Sequence, residues 1–164
     1  MQQAEFQFCA DLLKKRSGLS LTQDKLYLIE SRLLPVARSH GCEQVSGLLK
    51  LVRDNGRDAL IDEITEAMTT NESLFFRDTK PFEYLRQSLL PEYKKSGRNA
   101  LRIWSAACST GQEPYSISMC LLEEAAKMPG WRYDILGTDL ATRVLHKARE
   151  GIYSQFEVQR GLPI

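Results

Sequence analysis

The stretch LRIWSAACSTGQEP at residues 101–114 decides the fold class of this chain. Its first half holds β-favouring residues such as isoleucine and tryptophan, which predicts a strand over residues 101–107. Small residues and Gly111 then form a loop, and Pro114 is typical of the first turn of a helix. The pattern therefore predicts a strand, a loop and a helix in immediate succession.

The same order of elements continues on both sides of this stretch. A second strand is predicted over residues 132–138, a helix follows over residues 141–150, and an earlier helix begins near Pro81. A helix that joins two strands of one sheet makes a right-handed βαβ unit with parallel strands. Because two strands alone do not make a stable open sheet, we expect the sheet in this chain to be incomplete.

Residues 1–70 have the apolar period of helices throughout. The fourth helix shows it most clearly, with one apolar face made by Leu60, Ile61, Ile64, Ala67 and Met68. Pro35 lies inside the pattern of the second helix and should kink or break it near Leu34. The predicted fold class is α plus α/β, with a small helical bundle over residues 1–70 and an α/β domain over residues 71–164.

Composition excludes several classes of function. The chain has 22 Lys and Arg against 21 Asp and Glu, so no basic excess is present to bind nucleic acid. It has four cysteines, no CxxC pair and two histidines, so no metal site is expected. No apolar run approaches the ~20 residues of a membrane span, and reduced cysteines in apolar helix patterns favour a cytoplasmic protein.

Two carboxylates follow the two predicted strands. Glu113 begins the helix after the first strand, where it would hold an amino group; alternatively it only complements the helix dipole, which the residues alone favour. Asp139 follows the second strand, where it either accepts hydrogen bonds from a ribose diol or caps the next helix. The dinucleotide and Walker phosphate-binding motifs are absent, because Gly111 is the only glycine of its loop and no lysine follows it.

The segment NESLFFR at residues 71–77 combines two aromatic residues with an amide, a hydroxyl and an arginine. This mixture indicates a segment that packs on one side and faces a ligand on the other. Phe75 and Phe76 either lie in the core or pack against an aromatic ligand, and we expect at least one of them in the core. Arg77 either orients a bound group or is an ordinary surface charge.

The second predicted helix carries a candidate docking face. Lys25 and Arg32 are seven residues apart and lie nearly in line on one side of a helix. Arg38 lies off that line on a straight helix, although a bend at Pro35 would change its direction. The default interpretation is a solvated basic face, and the functional interpretation is a docking surface for an acidic partner helix.

Taken together, residues 71–77, 104–116, 137–139 and 147–153 resemble the bacterial chemotaxis receptor methyltransferases of the CheR type. The resemblance is dense, ordered and correctly spaced over nearly the whole chain. It implies a helical N-terminal domain followed by a Rossmann-like domain that binds S-adenosylmethionine. It also implies transfer of the methyl group to glutamate side chains of methyl-accepting chemotaxis receptors, which gives glutamyl methyl esters and S-adenosylhomocysteine.

The resemblance assigns roles to individual residues. Glu113 matches the acidic position suited to the methionine amino group, and Asp139 matches the one suited to the ribose hydroxyls. Arg77 is expected near the reacting centre, where it would orient the incoming carboxylate as the catalytic residue. The full set of cofactor-binding positions is Asn71, Ser73, Arg77, Glu113 and Asp139.

The resemblance also implies partners. Lys25, Arg32 and Arg38 match basic positions that engage the methylation region on the cytoplasmic helices of the receptor. Because the catalytic domain of the family continues beyond residue 164, we expect a fragment with little activity alone, or a chain completed by a domain-swapped second copy. The alternative function is a non-catalytic module that binds a receptor or a regulator.

Overall fold

The computed structural model describes residues 1–162 of the chain, which form two compact units, Met1–Thr70 and the part from Asn71 onward. The first unit is a bundle of four helices preceded and linked by short turns, as the apolar period predicted. The helices are α1 (Gln3–Ser17), α2 (Leu26–Ser39), α3 (Val45–Asn55) and α4 (Asp58–Met68), with a 3₁₀ turn at Gln23–Lys25 before α2.

One apolar cluster holds the first unit together. Every helix contributes at least one side chain that is fully or almost fully buried, namely Leu13, Ile29, Leu33, Leu48, Leu49 and Ile64. Truncation of such a side chain to alanine costs about 2–5 kcal/mol, because both the transfer energy and the packing are lost. The bundle therefore depends on contacts among all four helices.

Of the kink or break predicted near Leu34, the break is wrong, because helix α2 continues through Pro35 to Ser39. Proline removes one backbone hydrogen bond from the helix interior. Here Pro35 is exposed, while Leu33, Val36 and Ala37 around it are buried in the core of the bundle. Burial on both sides of the proline keeps the chain helical despite the lost bond.

The second unit follows the predicted order α-β-α-β-α, which confirms the mixed fold class. Its elements are α5 (Lys80–Tyr84), a π-helical turn (Leu85–Leu89), α6 (Leu90–Lys95), β1 (Ala100–Ala106), α7 (Gln112–Glu124), a 3₁₀ turn (Ala125–Lys127), β2 (Arg132–Thr138), α8 (Thr142–Glu150) and the additional short α9 (Gln155–Gln159). The strands pair in parallel, from Ala100 opposite Arg132 to Ala106 opposite Thr138.

The single helix predicted from Pro81 contains a π-helical turn that the pattern did not show. Within it, the backbone N–H of Leu90 donates to the carbonyl of Leu85, five residues earlier. The next residue is Pro91, whose ring nitrogen has no hydrogen to donate. The wider turn thus coincides with the place where the regular hydrogen-bond pattern is interrupted.

Within residues 1–162, the two-stranded sheet is covered on one face only. On the covered face, Ile103 and Ile135 pack against a buried cluster that includes Ile117 of α7. On the other face, Trp104 is 69% exposed and Leu136 is 59% exposed. Parallel sheets are normally covered on both faces, so the sheet is incomplete, as the sequence predicted.

A capping box at α9 makes its local stability depend on pH. The Lys147 ammonium, with the backbone N–H and hydroxyl of Ser154, lowers the pKa of Glu157 from its usual 4.5 to about 2. The charged form therefore stabilises α9 fully above pH 4.5, and the stabilisation is lost as the pH falls toward 2. We expect the protection of the α9 amides against hydrogen exchange, relative to the intrinsic exchange rate at each pH, to fall across that range. The same loss of protection in Glu157→Gln would contradict this assignment.

Candidate functional site

The loop after β1 brings two of the predicted cofactor residues together through a third residue. The backbone N–H of Ser109 donates to Asp139 Oδ2 at 2.8 Å, and its hydroxyl donates to the carbonyl oxygen of Asn71 at 2.6 Å. Ser109 is only 6% exposed. Asn71 and Asp139 are therefore joined at the carboxyl ends of the two strands, where open α/β sheets bind ligands.

Asp139 uses both carboxylate oxygens within the protein. While Oδ2 binds Ser109, Oδ1 accepts the backbone N–H of Ala141 at 2.9 Å, just before α8 begins. A carboxylate has about four acceptor positions, and these two bonds occupy two of them. The ribose interpretation and the helix-start interpretation of Asp139 are thus compatible with each other.

Glu113 is held in place by a buried hydroxyl of the first strand. Ser105, which is 1% exposed, donates its hydroxyl to Glu113 Oε1 at 2.7 Å. Glu113 also lies in the first turn of α7, so it complements the helix dipole as well. One oxygen is therefore fixed, and the rest of this exposed carboxylate is available to an amino group.

Arg77 and Glu113 line one groove. The groove has a volume of about 500 Å³, and apolar residues such as Phe82 and Trp104 form much of its wall. Arg77 Nη1 donates to the carbonyl oxygen of Glu72 at 3.1 Å, yet its side chain remains 59% exposed. The volume lies within the range of small-molecule sites, and the guanidinium is accessible in it.

The aromatic residues of segment 71–77 pack within the protein. Phe75 is 3% exposed and meets Tyr153 edge to face, with 4.9 Å between the ring centroids. Phe76 meets Phe82 in the same manner at 5.1 Å, and its backbone N–H donates to the hydroxyl of Ser116 at 2.9 Å. The two phenylalanines thus fix the segment that carries Asn71 and the half-buried Ser73.

Backbone strain is concentrated in the same two loops. Within residues 1–162, the non-glycine residues with positive φ are Phe76, Asp78, Thr79, Ala107 and Ser109. Such conformations are costly and persist where the surroundings impose them, which is common at ligand sites. Because non-glycine side chains give no sequence signal for positive φ, the pattern of residues did not predict this feature.

The hydroxyls that fix the site were also missed from the sequence. Ser105 and Ser109 lie inside the stretch that predicted the loop, and Tyr153 lies inside the last segment of the resemblance. Nothing in the type or spacing of these residues separates a bridging hydroxyl from a solvated one. Only their burial and hydrogen-bond partners identify them.

The three predicted receptor-binding residues differ in their surroundings. Arg32 Nη1 donates to the carbonyl oxygens of Met68 and Thr69 at 2.8 and 3.2 Å, and Nη2 contacts the Thr70 hydroxyl at 3.2 Å. Arg32 therefore caps the carboxyl end of α4. Lys25 makes an ion pair with the neighbouring Asp24, whereas Arg38 is exposed at the end of α2.

The cap predicts an effect of Arg32 on stability. Arg32→Ala is expected to lower the free energy of unfolding by about 1–2 kcal/mol, because the last carbonyls of α4 lose a charged donor. Arg38→Ala is the matched control, and as a change at an exposed position it is expected to alter stability by less than about 0.5 kcal/mol. Urea unfolding of both variants measures the difference, and equal stabilities would contradict the cap.

Family comparison covers both units of the chain. Residues 4–69 match the all-alpha domain of the CheR methyltransferases, and residues 71–164 match their SAM-binding domain. The methyl donor of that second domain is S-adenosylmethionine. Glu113 lines the apolar groove together with Arg77, whereas Asn71, Ser73 and Asp139 are not among the residues that line it. A carboxylate beside such a groove fits a ligand that carries an amino group, and the carboxylate of Asp139 suits a ribose diol.

Curated relatives show the same relationship. Chemotaxis protein methyltransferase 1 of Pseudomonas aeruginosa is 41% identical over 163 residues, 97% of this chain and 59% of that protein. Chemotaxis protein methyltransferase 1 of Vibrio cholerae is 41% identical over 158 residues, which are 94% of this chain and 56% of that protein. The Escherichia coli chemotaxis protein methyltransferase is 33% identical over 163 residues, which are 99% of this chain and 55% of that protein. The chain spans a little more than half the length of these relatives, and it belongs to the CheR methyltransferase family.

Proposed function

We propose that the full-length protein carrying this chain is a protein-glutamate O-methyltransferase of chemotaxis receptors. The observation that carries the proposal is the junction of Asn71, Ser109 and Asp139 at the carboxyl ends of two parallel strands. The relatives named above are chemotaxis protein methyltransferases, which supports the same reaction. In this proposal the first unit docks on the receptor, and the second contributes part of the cofactor site.

Each residue of the proposed site would bind a different part of the cofactor. Glu113 would hold the amino group of the cofactor and Asp139 its ribose hydroxyls, while Asn71 and Ser73 would complete the contacts from segment 71–77. When bound, S-adenosylmethionine supplies a methyl group that a carboxylate can attack directly. The protein chiefly has to align the carboxylate with that group and exclude water.

Arg77 is the proposed catalytic residue. A substrate glutamate has a usual pKa of about 4.3, so it is already ionised at neutral pH and needs no strong general base. An exposed guanidinium can orient such a carboxylate through two parallel hydrogen bonds. The accessible position of Arg77 in the groove is consistent with this role.

Arg77→Ala is expected to lower the rate of receptor methylation by the full-length protein about 100-fold or more, because a bidentate charged contact is lost. Titration with S-adenosylhomocysteine and transfer of radiolabelled methyl groups to receptor measure binding and reaction separately. Methylation by Arg77→Ala at the wild-type rate would remove Arg77 from the mechanism. Receptor binding by the wild type without any cofactor binding would instead favour the alternative, a non-catalytic docking module.

The proposed partner is the cytoplasmic helical region of a chemotaxis receptor, which places the protein in the cytoplasm. Lys25 and Arg38 would meet acidic side chains there. Arg32 would add its positive charge, although its guanidinium also binds the end of α4. Within residues 1–162, no helix combines the length and apolar character that crossing a bilayer requires.

One face of the sheet is uncovered, and we expect this to lower the activity of the 164-residue chain when it is alone. With Trp104 and Leu136 exposed, we expect this chain alone to have little methyltransferase activity. A domain-swapped second copy would offer one way of covering that face. Light scattering on the 164-residue chain measures its oligomeric state, and transfer of radiolabelled methyl groups to receptor measures its activity. An active monomer would contradict both expectations.

A further inference from the structure

Tyr153 contacts both loops that form the cofactor site. It lies in the irregular segment between α8 and α9, and its hydroxyl donates to the carbonyl oxygen of Thr110 at 2.6 Å. Its ring meets Phe75 edge to face at 4.9 Å and Tyr115 at 5.9 Å. One side chain thus connects segment 71–77 with the loop that follows β1.

We propose that Tyr153 is a positioning residue of the cofactor site, which holds the loop at residues 108–111 against segment 71–77. The inference rests on the proposed function and adds a residue to its site. Thr110 directly follows Ser109, the residue that joins Asn71 to Asp139. Because the two are adjacent in the backbone, a shift of Thr110 would also move the Ser109 N–H away from Asp139.

The packing around the hydroxyl leaves little freedom for either partner. A Cβ at Gly111 would lie 2.7 Å from the Tyr153 hydroxyl oxygen, so the loop passes the tyrosine more closely than a residue with a side chain could without a shift. Lys147 of α8 places its Nζ 5.9 Å from the centroid of the Tyr153 ring. The same ammonium also pairs with Glu157 of α9. Such a fit favours a single position of the loop.

The charge state of the hydroxyl is constant under ordinary conditions. Burial, with Tyr115, Glu157 and Cys108 nearby, raises the pKa of Tyr153 to about 12. The hydroxyl therefore stays protonated near neutral pH and donates to Thr110 throughout. No change of pH in that range should release the loop through Tyr153.

Tyr153→Phe removes the hydroxyl and keeps the ring packed on Phe75. In the full-length protein we expect it to weaken S-adenosylhomocysteine binding, measured by calorimetry, about 3- to 10-fold, the value of one hydrogen bond. We also expect a matching rise in KM for S-adenosylmethionine, with kcat and KM for receptor unchanged. Tyr84→Phe is the matched control, because it removes the hydroxyl of a tyrosine that is 57% exposed, and it should bind like the wild type.

A rescue variant separates positioning from general stability. 4-Aminophenylalanine at position 153 retains a donor near Thr110 and is expected to restore affinity toward the wild-type value. Wild-type affinity in Tyr153→Phe, or equal rises in KM for both substrates, would overturn the inference while the proposed function stands. Absence of S-adenosylhomocysteine binding by the wild-type protein would instead overturn the proposed function, and the cofactor role of Tyr153 with it.

Discussion

Asp139→Ala is expected to weaken binding of S-adenosylhomocysteine about 100-fold or more, because two charge-assisted hydrogen bonds and the proposed ribose contacts are lost together. The two bonds are those from the backbone N–H groups of Ser109 and Ala141, at 2.8 and 2.9 Å. Without them the loop after β1 loses its bond to Asp139, although the backbone N–H of Cys108 still donates to the carbonyl oxygen of Thr138 at 2.9 Å. Calorimetric titration of the full-length variant measures the effect.

Two further variants separate the possible causes of that loss. Asp139→Asn keeps one oxygen acceptor and is expected to fall between the wild type and the alanine variant. Asp134→Ala removes a carboxylate of β2, the strand that Asp139 follows, and this carboxylate pairs with the exposed Arg102. The Asp134→Ala variant should therefore bind normally. Unchanged affinity in Asp139→Ala would mean that Asp139 serves only the start of α8.

Gly111→Ala is expected to destabilise the second unit by about 2–4 kcal/mol, the sum of a strained backbone and a steric clash. Gly111 has a φ of +97°, which side chains rarely adopt. An added Cβ would also lie 2.7 Å from the Tyr153 hydroxyl and 3.0–3.1 Å from Ala148 of α8. The cofactor affinity should fall with the stability, since the clash displaces the loop. Urea unfolding and calorimetry measure the two effects.

Gly97→Ala provides the matched control for the steric contribution. Gly97 also has a positive φ, +73°, but nothing lies within 4 Å of the position a Cβ would take. Its alanine variant is therefore expected to lose only about 1 kcal/mol from backbone strain. Equal losses of stability at the two glycines would show that Tyr153 and Ala148 do not confine Gly111.

The regular elements of the second unit were predictable because they rest on local patterns. Strand β2 has the predicted bounds, and β1, which β-favouring residues such as Ile103 and Trp104 indicated, is shifted by one residue. The additional α9 was not predicted, because five residues hold too little of a helical period. At Pro35 the local pattern predicted a helix break that the structure does not have. The packing of its buried neighbours keeps the chain helical there.

The site was predictable only in part, for a related reason. Glu113 lies in the helix that follows β1 and Asp139 directly follows β2, so the order of elements made both of them candidates. The residues alone favoured the helix-dipole role of Glu113 and left both roles of Asp139 open. The roles of Ser105 and Ser109 depend on which distant group each hydroxyl meets. Arg32 makes the same point in the first unit, since its position on α2 suggested a docking face, whereas its guanidinium binds the end of α4.

The sequence by itself determined the α plus α/β order of elements, the two acidic residues that follow the strands and the family resemblance, because periodicity and motif spacing are local properties of the chain. Only the tertiary structure decided which groups fix the site. Three contacts of the two units join residues 36 to 43 positions apart, namely Arg32 with Met68, Ser109 with Asn71 and Tyr153 with Thr110. Contacts of that separation have no local signature, since packing of whole elements brings the partners together.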